Sequence, residues 1–218
     1  MNYYTGLSTK NKIMDVCRKL FYEDGFNETT FSAICQAAHV LPGSLGYHYK
    51  SKKNIASGIY SEIMHVMEQR VEELFPDQDE LLQVILSFGF HQKLLFTDPQ
   101  YRRFSAQCSS SCIHARPLSD YEDYVPKAYS LAVKYAGKEK VDFLFTAFKG
   151  IDCYIEPYID AHINDLSFEK VFRYTIELYY RFIDDHTLNQ YIEKALEYLM
   201  FVDISCIDLE VLIKRIDN

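Results

Sequence analysis

The sequence predicts an all-α protein with a small N-terminal helical domain and a larger C-terminal one. Apolar residues recur at helical spacing in most segments, and Ser, Thr, Gly or Pro stands where those segments begin or end. No segment shows the period-two alternation of a convincing strand. With 218 residues, 48% hydrophobic and 25% charged, the chain can bury a sizeable core, which excludes a disordered protein.

The first predicted helix begins at Ser8 or Thr9, either of which can cap it, and ends before Gly25. Its apolar stripe follows the i, i+3, i+4, i+7, i+8 pattern and consists of Ile13, Val16, Cys17, Leu20 and Phe21. Neither flank of Asp24-Gly25 alternates as a hairpin would, so Gly25 is interpreted as the residue that follows the helix end.

The second predicted helix is short and is capped by Thr30. Its stripe is Phe31, Ile34, Cys35 and Ala38. It ends at His39, and a non-glycine residue at such a stop is expected in the left-handed region, where His is tolerated.

The third predicted helix covers residues 42–49, with Pro42 at the first helical position. If Leu41 is the N-cap, Val40 and Leu45 occupy the two positions of a hydrophobic staple. The residues expected to face outward are Gly43, Ser44, Tyr47 and His48.

A fourth, long helix is capped by Ser51 and ends before Pro76. Its stripe is Ile55, Ile59, Ile63, Met67 and Val71. Further helices are predicted near residues 79–96, 99–110, 120–136, 138–162, 167–184, 187–202 and 207–216.

Charge is divided unevenly along the chain. Residues 1–60 carry seven Lys and Arg against four Asp and Glu, a balance of +3, whereas the remainder carries 16 against 27, a balance of −11. A basic head on an acidic body indicates a polyanionic partner for the head alone. Lys52 and Lys53 stand in the first turn of the fourth helix, where the helix dipole disfavours cations unless an anion such as a DNA phosphate docks there.

Two glycines, Gly43 and Gly46, weaken the third helix but allow its backbone to approach another surface closely. Such a helix suits a DNA major groove, with Ser44, Tyr47 and His48 donating to phosphates or base edges. Three helices with a tight turn at residues 38–41 therefore predict a helix-turn-helix. Partial burial of Tyr47 against a neighbouring helix is the alternative.

The same stretch resembles the TetR family of transcriptional regulators. The matching segments are residues 20–26, 29–31, 34–40, 42–45 and 47–52. The chain departs from the family pattern at Cys35, His39, Leu41 and Gly46, the last at a position where the family commonly has an aromatic residue that touches the DNA backbone.

The resemblance implies a DNA-binding domain at residues 6–66 and an effector-binding and dimerisation domain at residues 67–218. It implies a repressor that binds a palindromic operator as a homodimer and is released by a small molecule. The DNA-binding residues expected from the sequence and the resemblance together are Thr30, Pro42, Gly43, Ser44, Tyr47, His48, Lys52 and Lys53.

The effector is expected to be small and apolar or aromatic, because aromatic residues make up 15% of the chain and most lie in the body. Candidate pocket residues are Phe88, His91, Phe104, Cys108, Tyr129, Phe148 and Tyr154. Candidate dimer residues are Leu144, Phe148, Ile151, Ile155, Phe172, Tyr179 and Phe182, which could equally form intrachain core.

Other classes of function have weaker support. Cys108, Cys112 and His114 could hold a soft metal or form a redox pair, and Asp184-Asp185-His186 could bind a metal, but a frayed helix end and a turn explain both better. We expect no metal, no cofactor and no catalysis. The polar start and the absence of a long apolar run predict a cytoplasmic protein without membrane association. A protein of the same fold that binds ligand or protein without DNA is the remaining alternative.

Overall fold

The computed structural model describes residues 3–111, 113, 127–181, 183 and 185–203. Across these residues the regular structure is entirely helical, which confirms the predicted fold class. In chain order the helices are α1 (Tyr3–Glu23), α2 (Phe31–Ala38), α3 (Pro42–His48), α4 (Lys52–Leu74), α5 (Glu80–Thr97), α6 (Pro99–Ser110), α7 (Lys127–Ala136), α8 (Lys138–His162), α9 (Phe168–Tyr179) and α10 (Asp185–Phe201).

The head is built from α1, α2, α3 and the start of α4. Its core draws one stripe from each helix, and the stripes include Ile13, Phe21, Ile34, Leu45 and Ile55, all at most 1% exposed. Periodic apolar faces that a single short helix cannot bury alone are thus buried against one another.

Side-chain caps begin two of these helices where the sequence predicts them. The Thr30 hydroxyl accepts from the backbone N–H of Ala33 at 3.1 Å, and the Ser51 hydroxyl accepts from that of Asn54 at 3.2 Å. Each cap satisfies one backbone donor that would otherwise lack a partner in the first helical turn.

Left-handed backbone ends the first two helices. Gly25 has φ 104°, and His39 has φ 51° and ψ 45°, with its N–H bonded to the carbonyls of Cys35 and Gln36. Both conformations agree with the expectations from the sequence. Such geometry is easy for glycine but strains an L-residue that carries a Cβ.

Replacing His39 by Gly is expected to raise the free energy of unfolding by about 0.5–1 kcal/mol. Relief of left-handed strain exceeds the extra backbone entropy that glycine loses on folding. Urea denaturation followed by circular dichroism measures the change. The control, Gln36→Gly on the exposed side of α2, should lower the same quantity by about 1 kcal/mol. An equal loss in both variants would contradict the assigned role of the turn.

The body is organised around α5, which packs against α4, α6, α9 and α10. Leu82, Ile85, Leu86 and Phe90 of this helix are all 0% exposed. Gly89 lets two helices come close, because a Cβ there would lie 2.4 Å from Leu199 Cδ1 and 3.1 Å from Phe172 Cε2. A helix that is apolar on most sides is expected at such a central position.

Some predicted boundaries were wrong. The first helix begins at Tyr3, so Ser8 and Thr9 lie inside it and neither caps it. The ninth helix ends at Tyr179, earlier than the predicted residue 184. The predicted helix at 207–216 and the segment 120–126 lie outside the described residues. None of the described helices combines the length and the hydrophobicity that crossing a bilayer requires.

Candidate nucleic-acid interface

The outer face of α3 is open to solvent. Tyr47 is 83% exposed, and its ring meets the half-buried His48 edge to face at a centroid distance of 5.2 Å. A Cβ added at Gly43 or Gly46 would meet no atom within 4 Å. The alternative that Tyr47 packs against a neighbouring helix is therefore wrong for the single chain, and a second surface could approach the α3 backbone directly.

The inner face of α3 fixes the helix in the head. Leu45 is fully buried, and the Tyr49 hydroxyl donates to the carbonyl of Lys10 at 3.3 Å. Val40 packs against the core, as the staple interpretation requires, whereas Leu41 makes no capping hydrogen bond. Ser44, Tyr47 and His48, which are predicted to contact DNA, thus lie on a helix whose inner face is packed against the head.

The two lysines at the start of α4 have different surroundings. Lys52 Nζ donates to the carbonyls of Phe26, Asn27 and Thr29 at 2.5, 3.3 and 2.8 Å, and it lies 4.3 Å from the centre of the Phe26 ring. Lys53 is exposed and donates to the carbonyl of Ser111 at 3.0 Å. Desolvation lowers the pKa of Lys52, opposed by the nearby Glu28 carboxylate. Lys52 therefore holds the α1–α2 turn, and a role of either lysine at DNA stays a prediction.

Replacing Lys52 by Met is expected to lower the free energy of unfolding by about 1.5–3 kcal/mol, because charge-assisted hydrogen bonds to the turn are lost. The matched control is Lys53→Met, which removes an exposed contact and should change stability by no more than about 0.5 kcal/mol. Urea denaturation compares the two variants. Equal stabilities of the two would contradict the structural role of Lys52.

The body touches the head mainly through α6. Arg103 Nη2 donates to the carbonyls of Tyr22 and Glu23, at 3.0 and 2.7 Å, where α1 ends. The Gln107 carbonyl oxygen accepts from the backbone N–H of Asn27 at 3.1 Å. A cation at a helix C-terminus satisfies carbonyls that lack intrahelical partners, so these contacts stabilise both the helix end and the domain contact.

The sequence of the head matches a known family. Residues 13–58 match the sequence model described as "Bacterial regulatory proteins, tetR family", which spans α2, α3 and parts of α1 and α4. Residues 13–58 therefore carry the sequence pattern of the TetR family. The resemblance inferred from the sequence is thereby confirmed, and the exposed α3 corresponds to the second helix of its helix-turn-helix.

Curated relatives share this TetR-type domain. The regulator QacR of Staphylococcus aureus is 33% identical over 67 residues, which is 31% of this chain and 34% of QacR. AcrR of Shigella flexneri is 35% identical over 66 residues, 30% of this chain and 29% of AcrR. UidR of Escherichia coli is 33% identical over 51 residues, 23% of this chain and 26% of UidR. The chain thus spans about a third or less of the length of these relatives, all three of them transcriptional regulators rather than enzymes.

Two solved structures are similar over most of the chain, at low scores. One is a gamma-butyrolactone receptor described as an ArpA-like protein, with 17% identity, 91% of this chain and 100% of that chain covered, and a TM-score of 0.47. The other is the TetR family protein CprB from S. coelicolor A3(2), with 16% identity, 89% and 100% covered, and a TM-score of 0.41.

The body contains a buried carboxylate, that of Glu156 on α8. Glu156 is 8% exposed, and its Oε2 accepts from the hydroxyls of Ser105 and Ser109, each at 2.6 Å. Its Oε1 lies 3.0 Å from His91 Nε2, and His91 Nδ1 lies 2.7 Å from the Tyr101 hydroxyl. We call these five residues the Glu156 cluster. It joins α5, α6 and α8 in the core of the body.

For the His91 tautomer that carries its proton on Nε2, the hydrogen bonds of the Glu156 cluster run in one direction. Burial raises the pKa of Tyr101 well above its usual value, so the hydroxyl stays protonated and can donate to Nδ1 of His91. Nε2–H of His91 then donates to Glu156, which also accepts from both serines. The carboxylate is thereby satisfied by donors in a place where an unpaired charge would be costly.

The predicted pocket residues are only partly brought together. Phe88 packs on His91 and on Tyr179, with ring centroids 6.1 and 5.5 Å apart, and Phe148 packs on Tyr179 at 4.9 Å. Cys108 is fully buried.

Three other predicted pocket residues lie elsewhere. Phe104 stacks on Phe21 of the head at 6.2 Å. The Tyr129 hydroxyl donates to Asp142 at 2.6 Å, and Tyr154 is 79% exposed. The proposed pocket therefore excludes Tyr154, because a side chain on the outer surface of α8 does not line the interior of the body.

A groove of about 460 Å³ opens elsewhere, between α9 and α10. Its lining residues are Tyr174, Glu177, Leu178, Arg181, Leu188 and Asn189, none of which was predicted.

The metal and redox interpretations gain no support. Within the described residues, no three His, Cys, Asp or Glu side chains are grouped as a metal site. Cys112, His114 and Asp184 lie outside those residues. Desolvation raises the pKa of the buried Cys108 thiol well above its usual value, which disfavours the reactive thiolate.

The predicted dimer residues mostly face inward. Phe172 is 0% exposed, and Tyr179 lies between Phe88 and Phe148. The remaining predicted residues on α8, Leu144, Ile151 and Ile155, are half-buried, as is Phe148. Phe182 lies outside the described residues. The single chain thus uses Phe172 and Tyr179 in its own packing, the alternative left open by the sequence.

Proposed function

We propose that this protein is a cytoplasmic transcriptional regulator, a repressor that binds a palindromic operator as a homodimer and releases it when a small molecule binds the body. The observation that carries the proposal is the TetR-family match over residues 13–58 together with the solvent-exposed face of α3 inside it. The basic balance of the head and its exposed Lys53 add the charge that phosphates attract.

The proposal is tested by selecting duplexes from a random library with the full-length protein. We expect enrichment of an inverted repeat whose half-site centres are about 34–36 Å apart, since two recognition helices of a dimer enter successive turns of one DNA face. Recovery of an unenriched library at every salt concentration would overturn the proposal and favour the alternative of a TetR-type fold without DNA binding.

Helix α6 is suited to carry a signal from the body to the head. One face bears Tyr101, Ser105 and Ser109, which belong to the Glu156 cluster. Another face bears Arg103 and Gln107, which bind the end of α1 and the α1–α2 turn. A molecule that displaces α6 would therefore disturb both sets of hydrogen bonds together, and with them the placement of α3.

The effector is proposed to be a small apolar or aromatic molecule that binds beside the Glu156 cluster. Phe88, Cys108 and Phe148 supply aromatic and apolar side chains there, and the Glu156 cluster supplies the polar groups. Ligand sites commonly combine such a lining with a small number of placed polar groups. Binding would require the closely packed rings to separate.

The homodimer is proposed to form through the outer face of α8. Phe143, Tyr154 and Tyr158 are 76, 79 and 56% exposed and share one side of this helix, since they lie eleven and four residues apart. Large apolar side chains exposed together commonly mark an interface. Sedimentation equilibrium should give twice the mass of one chain for the wild type and a single-chain mass for Tyr154→Glu. A dimeric Tyr154→Glu protein would place the interface elsewhere.

A further inference from the structure

Leu41 has no role in folding that its surroundings explain. It stands at the N-cap of α3 but cannot form the capping hydrogen bond that Ser, Thr, Asp or Asn would supply. It is 78% exposed, so burial does not offset the missing cap. The neighbouring Val40 and Leu45 already provide the apolar contacts of the helix start.

The outer surface at this end of α3 carries no charged and no amide side chain, although Ser44, Tyr47 and His48 follow on the same helix. Residues 40–49 contain no Arg, Lys, Asn, Gln, Asp or Glu, which are the side chains that pair with base edges in a bidentate or charged manner. Leu41 and Pro42 are both exposed and adjoin Gly43, whose missing side chain leaves the backbone open to close approach. We call Leu41 and Pro42 the apolar corner.

The major groove offers one apolar feature that such a corner can recognise, the 5-methyl group of thymine. Resting on the DNA binding proposed above, we propose that the apolar corner reads thymine methyl groups, and that thymine at the facing position of each half-site determines operator choice. Phosphate contacts by Tyr47 and its neighbours position the helix, and the apolar corner distinguishes the sequence. Uracil has the same hydrogen-bonding groups as thymine. A difference in affinity between duplexes with the two bases therefore measures the contribution of the methyl group.

The test uses a duplex recovered from the library selection. Each thymine is replaced in turn by deoxyuridine, which removes only the methyl group, and the affinity is measured by fluorescence anisotropy at constant salt. At one or two positions in each half-site the wild type should bind about fourfold more weakly, the equivalent of one buried methyl group. In Leu41→Ser the thymine and deoxyuridine duplexes should bind equally.

Two further measurements keep the result interpretable. Serine restores a capping side chain, so the urea midpoint of Leu41→Ser should equal or exceed that of the wild type. Leu74→Ser, which changes an exposed leucine at the far end of α4, should retain the full discrimination. Equal binding of all duplexes by the wild type, or discrimination that survives in Leu41→Ser, would overturn the inference. If no duplex is selected at all, the proposed DNA binding itself fails, and the inference fails with it.

Discussion

Replacing Glu156 by Ala is expected to lower the free energy of unfolding by about 3–5 kcal/mol. The substitution leaves the hydroxyls of Ser105 and Ser109, both 0% exposed, and Nε2–H of His91 without their acceptor. Each buried polar group that loses its partner costs about 1–3 kcal/mol. A cavity in place of the side chain adds to the loss. Chemical denaturation with a fixed m-value gives the difference directly.

The matched control is Glu156→Gln, which keeps the shape and one accepting oxygen. Its loss of stability should be clearly smaller, since one oxygen can still accept while the amide group faces donors on the other side. If Glu156→Ala were as stable as the wild type, the Glu156 cluster would not be a structural element of the body. The proposed route from the cluster through α6 to the head would then lose its starting point.

Replacing Tyr47 by Ala is expected to weaken binding to a selected duplex by about 10- to 100-fold. A hydrogen bond from the exposed hydroxyl to a phosphate is charge-assisted, and such bonds contribute about 1.5–3 kcal/mol. Because Tyr47 is 83% exposed in the single chain, its removal should change the free energy of unfolding by no more than about 0.5 kcal/mol. Anisotropy titrations and urea denaturation separate the two effects.

Tyr174→Ala serves as the matched control, because Tyr174 is a 63% exposed tyrosine on α9 in the body. Its affinity for the duplex should equal that of the wild type. Tyr47→Phe should show most of the loss if the hydroxyl is the contact. Unchanged affinity in Tyr47→Ala would remove Tyr47 from the proposed interface and leave Ser44 and His48 as the candidates on that helix.

Local rules predicted the head because its features are set by neighbouring residues. The Thr30 and Ser51 caps, the left-handed His39 and Pro42 at the start of α3 each depend on contacts within a few residues. Periodicity likewise identified Ile34 and Leu45 as core. Such features follow from backbone sterics and helix geometry, which a sequence displays directly.

The Glu156 cluster could not be predicted in the same way. Glu156 is separated in sequence from its partners Ser109, Ser105 and His91 by 47, 51 and 65 positions. These residues lie on three helices, and no local sequence pattern specifies how those helices pair. The spacing of Tyr101, Ser105 and Ser109 on one face of α6 is visible in the sequence, but it is equally typical of a solvated face. Only the packing of α8, which carries Glu156, against this face of α6 shows that the face is buried and not solvated.

The intrachain partners of Lys52 could not be predicted for a related reason. The sequence shows two adjacent lysines at a helix start and suggests the same role for both. The acceptors of Lys52 are carbonyls of residues 26, 27 and 29, which the packing of the α1–α2 turn against α4 brings to its ammonium group. The neighbouring Lys53 points to Ser111 instead, so two identical side chains in sequence have different partners in the fold.

The affinity of the full-length protein for a selected duplex at two salt concentrations tests the central claim most directly. If the outer face of α3 and the start of α4 contact six to ten phosphates of duplex DNA in the dimer, the association constant should fall by about 10³–10⁵ between 50 and 200 mM salt. Saturable binding with that dependence is the predicted result. An absence of binding at 50 mM salt, or an affinity that does not change with salt, would contradict the claim that the outer face of α3 and the start of α4 bind DNA phosphates.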